Sequence, residues 1–116
     1  MDALEMTLLF DYYGDLLTER QRQCFDMRHN QDLSLAEIAQ ELQVSRQGVH
    51  DNLQRAEALL KNMEQKTGCV SRDLACRKAT AQIAVLAQSL TDHSDAAVSG
   101  LARQILSEVQ ALEGVQ

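Results

Sequence analysis

The stretch Leu35-Ala-Glu-Ile-Ala-Gln-Glu-Leu-Gln-Val-Ser-Arg-Gln-Gly-Val49 decides the fold. Two helices cross at a fixed angle over a turn of three or four residues only if three conditions hold. The point of contact must be small, its flanks apolar and the second helix capped. Ala39 supplies the small residue, Ile38, Leu42, Val44 and Val49 flank it, and Ser45 is the cap. The second helix then exposes long polar side chains over its first turns, with Arg46, Gln47, His50, Asn52, Gln54 and Arg55 available. Gln or Asn pairs bidentately with adenine and Arg with guanine, while a helix N-terminus favours phosphate. Two residues argue the other way. Gln43 holds the turn position usually given to glycine, which is tolerable if its backbone avoids the left-handed region. Asp51 lies on the reading helix, where its charge repels phosphate unless it caps or pairs.

Upstream, Ser34-Leu-Ala-Glu37 and Thr18-Glu-Arg-Gln21 both fit the capping-box pattern and open helices. The helix from Thr18 to about His29 is expected to bury Cys24, Phe25 and Met27, and Asn30-Gln31-Asp32 reads as a turn. The first helix, about Asp2 to Leu17, carries Leu4, Leu8, Tyr12 and Leu16 at i+4, with Leu9 and Tyr13 widening the stripe. Downstream, the helix from Arg46 to about Lys66 aligns Val49, Leu53, Ala56 and Leu60, and Gly68 reads as its stop. The texture then changes. Ser71 to Leu90 is alanine-rich with Leu74, Ile83, Leu86 and Leu90. Ser94-Asp95 caps a last helix in which Val98, Ala102, Ile105, Val109 and Leu112 form a stripe that Leu101 and Leu106 broaden. Such a stripe buries against another helix, in the same chain or across a dimer. The expected fold is all-α: an orthogonal helix bundle with a helix-turn-helix in residues 1–67, then a C-terminal helical extension over 68–116 that packs back or dimerises.

Composition agrees. With no proline and five glycines in 116 residues, the chain is not a turn-rich sandwich. The only aromatics are Phe10, Tyr12, Tyr13 and Phe25, so the core is aliphatic. The net charge of −6 opposes a bulk electrostatic grip on DNA, but its distribution matters more. Residues 1–19 hold acids only, whereas Arg20, Arg22 and Arg28 face Asp26 alone over 20–30, and 44–78 are again mildly basic. This band is expected to make one usable face. The segment before Thr18 has four acids and no base, unlike a secretory leader, and the uncharged run Ala79 to Thr91 is too short and polar to span a bilayer. With three cysteines, Cys24, Cys69 and Cys76, and no C-x-x-C, these features read as cytoplasmic.

Nothing points to an enzyme. No glycine-rich phosphate loop, G-x-S-x-G or H-E-x-x-H occurs. His29, His50 and His93 lie far apart and read as surface residues, so neither a metal nor a cofactor is expected. The pairs Asp11/Asp15 and Glu37/Glu41 read as hydrated helix faces, and Tyr12-Tyr13 as core rather than a stacking platform for single-stranded RNA. Cys24 is expected in the core.

The run Leu9-Phe-Asp-Tyr-Tyr13, then Leu16-Leu-Thr18 and Gln21-Arg22, resembles the YlxM family of helix-turn-helix proteins. So do Ser34 to Ala39 and Val44 to Gln47, followed by Val49, Asp51-Asn52, Arg55 and Glu57. The resemblance covers about residues 4–66. It implies a fold similar to region 4 of bacterial sigma factors, a regulatory or accessory role, and, from the family's usual gene neighbourhood, a part in the signal recognition particle pathway. By carry-over the reading helix begins at Arg46. The expectation is therefore a DNA-binding regulator, RNA being the other nucleic acid to test, that contacts its target through Arg46, Gln47, His50, Gln54 and Arg55. Arg20, Arg22 and Arg28 would hold backbone phosphates. A homodimer would place two reading helices on one face. The alternative is a protein-interaction accessory of the signal recognition particle GTPase that binds no DNA.

Overall fold

The computed structural model describes residues 2–114. Six α-helices follow in order: α1 (Ala3–Tyr13), α2 (Glu19–His29), α3 (Leu35–Leu42), α4 (Arg46–Thr67), α5 (Cys69–Gln88) and α6 (Ala96–Gly114), with one 3₁₀ turn at Gly14–Leu16. The fold is all-α, and no strand, hence no wing, occurs among the described residues. The chain forms two compact units that divide between Ser71 and Arg72.

Local chemistry sets the boundaries in the first unit. Asp2 caps α1 by accepting from the Glu5 N–H at 2.8 Å. Both capping boxes form: Thr18 Oγ1 accepts from Gln21 N at 3.2 Å while Gln21 accepts from Thr18 N, and Ser34 and Glu37 exchange the same pair of bonds. Each satisfies two helix-end donors that have no intrahelical acceptor. Gly68 (φ 68°) stops α4, as its spacing predicts.

α4 is the axis of this unit. It packs against α1, α2 and α3, and α2 also meets α3. Val49, Leu53, Ala56 and Leu60 all turn inward from it, as expected. They meet Ile38 and Ala39 of α3, Cys24 and Phe25 of α2, and Met6, Leu8, Leu9 and Tyr13 from α1 in one core. Phe25 is wholly buried and stacks on Phe10, ring centres 5.1 Å apart. Two expectations need correcting. The buried face of α1 is centred on Met6, Leu9 and Tyr13, so that Leu4, Tyr12 and Leu16 of the predicted stripe are about half exposed. His29 is not a surface residue: it lies against the Phe25 ring, with Nε2 3.4 Å from Glu57 Oε1 but in no hydrogen bond.

A polar cluster closes the α4 end of the unit. The buried Tyr13 hydroxyl donates to Glu64 Oε1 at 2.8 Å and is hydrogen-bonded to the Thr67 hydroxyl. The Glu64 carboxylate also accepts from the N–H groups of Val70 and Ser71, at 2.9 and 3.0 Å, and so caps α5 from the preceding helix. Burial pushes the Tyr13 phenol above its ordinary value.

In the second unit, Asp95 Oδ1 accepts from the Ala97 N–H at 2.9 Å and caps α6. Ala87, Ser99, Ala102 and Val109 are buried. The other large side chains of the predicted stripe divide. Val98 and Leu106 are half-buried, while Leu101, Ile105 and Leu112 are exposed.

Candidate nucleic-acid interface

The turn between α3 and α4 begins at Gln43. The Val44 N–H donates to the Ala39 carbonyl at 3.0 Å and the Gln43 N–H to Gln40 at 3.3 Å, the paired bonds of a Schellman motif. That motif places its pivotal residue in the left-handed region, and Gln43 sits there at φ 56°, ψ 47°. The expectation that a non-glycine residue would avoid this region therefore fails. The left-handed residue is what brings the two N–H groups back onto carbonyls at the end of α3 that would otherwise have no partner.

Ser45 follows in extended conformation and accepts from Gly48 N at 2.9 Å, starting α4. The N–H groups of Arg46 and Gln47 then have no intrahelical acceptor and point out of the helix end. Gly48 is the third residue of α4, and a Cβ there would stand 3.1 Å from the Ser45 hydroxyl. The bare backbone leaves the cap undisturbed.

With 3.6 residues per turn, the buried stripe of Val49, Leu53, Ala56 and Leu60 fixes which side chains face out. Gln47, Asp51 and Gln54 fall opposite that stripe, with Arg46 and His50 towards one edge and Arg55 towards the other. Arg46, Gln47, His50, Gln54 and Arg55 are all exposed. Arg46, Gln47 and His50 line one hollow with Leu35 of α3, a wall that sequence reasoning missed; its position as the first residue of α3 was the available signal. Asn52 is not available, because its amide donates to the Gly48 carbonyl at 2.8 Å.

Asp51 does pair. Its Oδ1 accepts from the Gln47 amide at 3.0 Å and lies 3.7 Å from His50 Nδ1. The hydrogen bond holds the Gln47 amide against Asp51, with His50 beside it. It also places a carboxylate oxygen where it could accept from a cytosine amino group.

The three arginines of α2 divide. Arg20 donates to the Leu42 carbonyl at 3.4 Å, at the C-terminal end of α3, and Arg28 to the Leu33 carbonyl at 2.9 Å, just before its start. Both remain exposed. Arg22 is drawn elsewhere, its guanidinium over the Phe10 ring and 3.2 Å from Asp15. Since Asp15 is 93% exposed, that ion pair is worth less than about 1 kcal/mol and is easily exchanged for another anion.

Among the described residues no group of three or more His, Cys, Asp or Glu could hold a metal ion, and no helix is long and apolar enough to cross a membrane.

Comparison with known proteins agrees with this geometry. Residues 1–96 match the family model UPF0122, described as "Putative helix-turn-helix protein, YlxM / p13 like". Over 71 residues the chain is 54% identical to a UPF0122 protein of Thermoanaerobacter sp. (strain X514), a match that spans 61% of each chain. A UPF0122 protein of Halalkalibacterium halodurans is 46% identical over 70 residues, 60% of this chain and 64% of that one. The chain thus spans under two thirds of the length of the curated relatives it matches. The chain belongs to the UPF0122 family of YlxM/p13-like helix-turn-helix proteins.

Proposed function

We propose that this protein is a cytoplasmic DNA-binding regulator. Its reading helix is α4, and Arg46, Gln47, His50, Gln54 and Arg55 contact the target. The observation that carries the reading is the start of α4, where unpaired backbone N–H groups, Arg46, the Gln47–Asp51–His50 set and the adjoining hollow lie on one exposed surface. Arg20 and Arg28, at the two ends of α3, are the supporting phosphate contacts; Arg22 joins them only by leaving Asp15. On this reading residues 1–67 are the helix-turn-helix domain and 68–116 an extension. Two copies would set two reading helices into successive turns of the major groove. The biological setting we infer is the signal recognition particle pathway.

A second reading, an accessory that binds the signal recognition particle GTPase without DNA, draws on other features. The chain is acidic, and α1 and its following turn expose Leu4, Tyr12 and Leu16 beside Asp11 and Asp15. The two readings separate in one set of titrations. Labelled random duplex DNA, structured RNA and the purified GTPase are each titrated with the wild type and with Arg46→Ala/Arg55→Ala. The first reading predicts duplex binding that the double variant weakens at least tenfold. Binding to the GTPase alone, unaffected by that variant, would replace it with the second.

A further inference from the structure

The C-terminal unit carries an apolar face that no other described residue covers. On α5, Cys76, Ala79, Ile83 and Leu86 step by 3, 4 and 3 residues, the spacing of a coiled-coil seam. With 3.6 residues per turn they fall within an arc of about 80°. All four are exposed, Leu86 at 66%, as is Leu90 in the turn after α5, whereas Ala87 on the neighbouring arc is buried. On α6 the exposed Leu101, Ile105 and Leu112 share an arc of about 40°, beside the buried Ala102 and Val109. One hollow is lined by Cys76, Ala79 and Leu112 together, so the α5 seam and the α6 flank open on the same side of an antiparallel helix pair. The six large side chains alone leave on the order of 600 Å² of apolar surface open. The largest patch on a typical monomer is about 300–600 Å².

We propose that this face binds a second copy of the chain, and that the two α5 helices pair antiparallel across a two-fold axis at Ile83. Three observations select this occupant. A 3-4-3 seam accepts the side chains of another helix and suits neither a strand nor a charged segment. The run from Ala79 to Thr91 contains no ionised side chain, so the partner must bring an equally uncharged helix, and α5 is one. With the small residues Ala75, Cys76 and Ala79 added, the area approaches the roughly 800 Å² per partner of a standard interface. The register follows from size. Large residues occupy the C-terminal half of the seam and small ones the N-terminal half. Antiparallel pairing about Ile83 sets Leu86 against Ala79 of the second copy. Parallel pairing would crowd leucine on leucine and leave a gap at the alanine and cysteine end. Self-complementary surfaces of this kind are what two-fold symmetry requires. The inference deepens the reading above by naming the face that joins the copies, but it rests on no nucleic-acid contact and is tested without nucleic acid.

Sedimentation of the full-length protein is expected to give about twice the 12.9 kDa chain mass. Ile83→Glu and Leu86→Glu should each shift it to the chain mass with the helical circular dichroism retained. The register is read by thiol oxidation in a Cys69→Ser background, where Cys24 is buried. Adding Ile83→Cys, at the two-fold axis, should give rapid linkage between the residues 83 of the two copies. Without it, the two Cys76 residues lie about 20 Å apart along the helices, far beyond the roughly 7 Å Cα limit of a disulfide, and should not link. A wild type that sediments at the chain mass overturns the proposal, as does a dimer indifferent to both glutamates. Rapid linkage of Cys76 to Cys76 overturns the antiparallel register.

Discussion

Replacement of Gln43 separates the two demands made on the turn. Its backbone is left-handed, at φ 56° and ψ 47°, and its side chain is exposed. Gln43→Ala and Gln43→Gly therefore lose the same surface group and differ only in backbone preference. An L-residue with a Cβ is penalised by about 1–2 kcal/mol in this region. Glycine escapes that penalty but loses more chain entropy on folding, about 0.4–1 kcal/mol relative to alanine. The difference leaves the glycine variant more stable than the alanine variant by about 0.5–1 kcal/mol. Tertiary contacts of the side chain do not enter, because no hydrogen bond is made by the Gln43 amide among those found for the described residues. For a unit of this size the corresponding shift in midpoint is about 2–8 °C. Urea and thermal unfolding, followed by circular dichroism at 222 nm, measure it directly. A glycine variant no more stable than the alanine variant would mean that the turn is not left-handed in solution, and the crossing of α3 on α4 would need to be rebuilt. Function gives a control: Gln43 is not among the side chains assigned to the target, so neither change should weaken nucleic-acid binding more than about twofold.

Two further predictions concern polar groups. Tyr13→Phe removes a hydroxyl that is buried against Glu64 and Thr67, and should cost about 1–2 kcal/mol in urea unfolding; a loss within error would show that the cluster is solvated. The same site sets an alkaline limit. A phenol whose folded value is raised by burial contributes stability that is whole below its ordinary value near 10 and is lost as pH rises towards the raised one. Tyr13→Phe should therefore unfold with a shallower pH dependence above about pH 10. At the acidic end, the Ser34 backbone N–H, helped by its hydroxyl, holds the Glu37 carboxyl below its ordinary value. Its contribution is present above about pH 4.3 and is lost as pH falls through the lowered value. Wild type and Glu37→Gln should accordingly converge in stability as the solution is acidified, and a gap that widens would contradict the sign.

Much of this fold was legible because its signals are local. Thr18-x-x-Gln21 and Ser34-x-x-Glu37 each name a helix start by chemistry confined to four residues, and both boxes form as read. The Val49-Leu53-Ala56-Leu60 stripe is periodic and its helix long, so its inward face was unambiguous. Legibility failed where one residue's state depends on distant partners. Leu4, Tyr12 and Leu16 fit a helical period as well as Met6, Leu9 and Tyr13 do. Only the approach of α4 to α1 decides which set is covered. His29 reads as exposed only if Phe25, four residues earlier on the same helix face, is overlooked; its other neighbour, Glu57 of α4, is the distant partner that sequence does not announce. In the candidate interface, composition identified the polar side chains but not their engagements. That Asn52 bonds its own helix, that Arg22 is turned to Asp15 and that Asp51 holds the Gln47 amide are three-dimensional facts.

The central claim is that the N-terminal face of α4 binds DNA backbone and bases, and its most direct test is the salt dependence of duplex binding. Fluorescence anisotropy of random duplex DNA, titrated at several salt concentrations, should give affinity that falls with salt, with a log–log slope of about −0.9 for each phosphate neutralised. Arg46, Arg55, Arg20 and Arg28 together predict a slope of roughly −3 to −4, and Arg46→Ala/Arg55→Ala should reduce its magnitude by about 2 while the fold is retained. No binding at low salt, or a slope that the double substitution leaves unchanged, would contradict the claim.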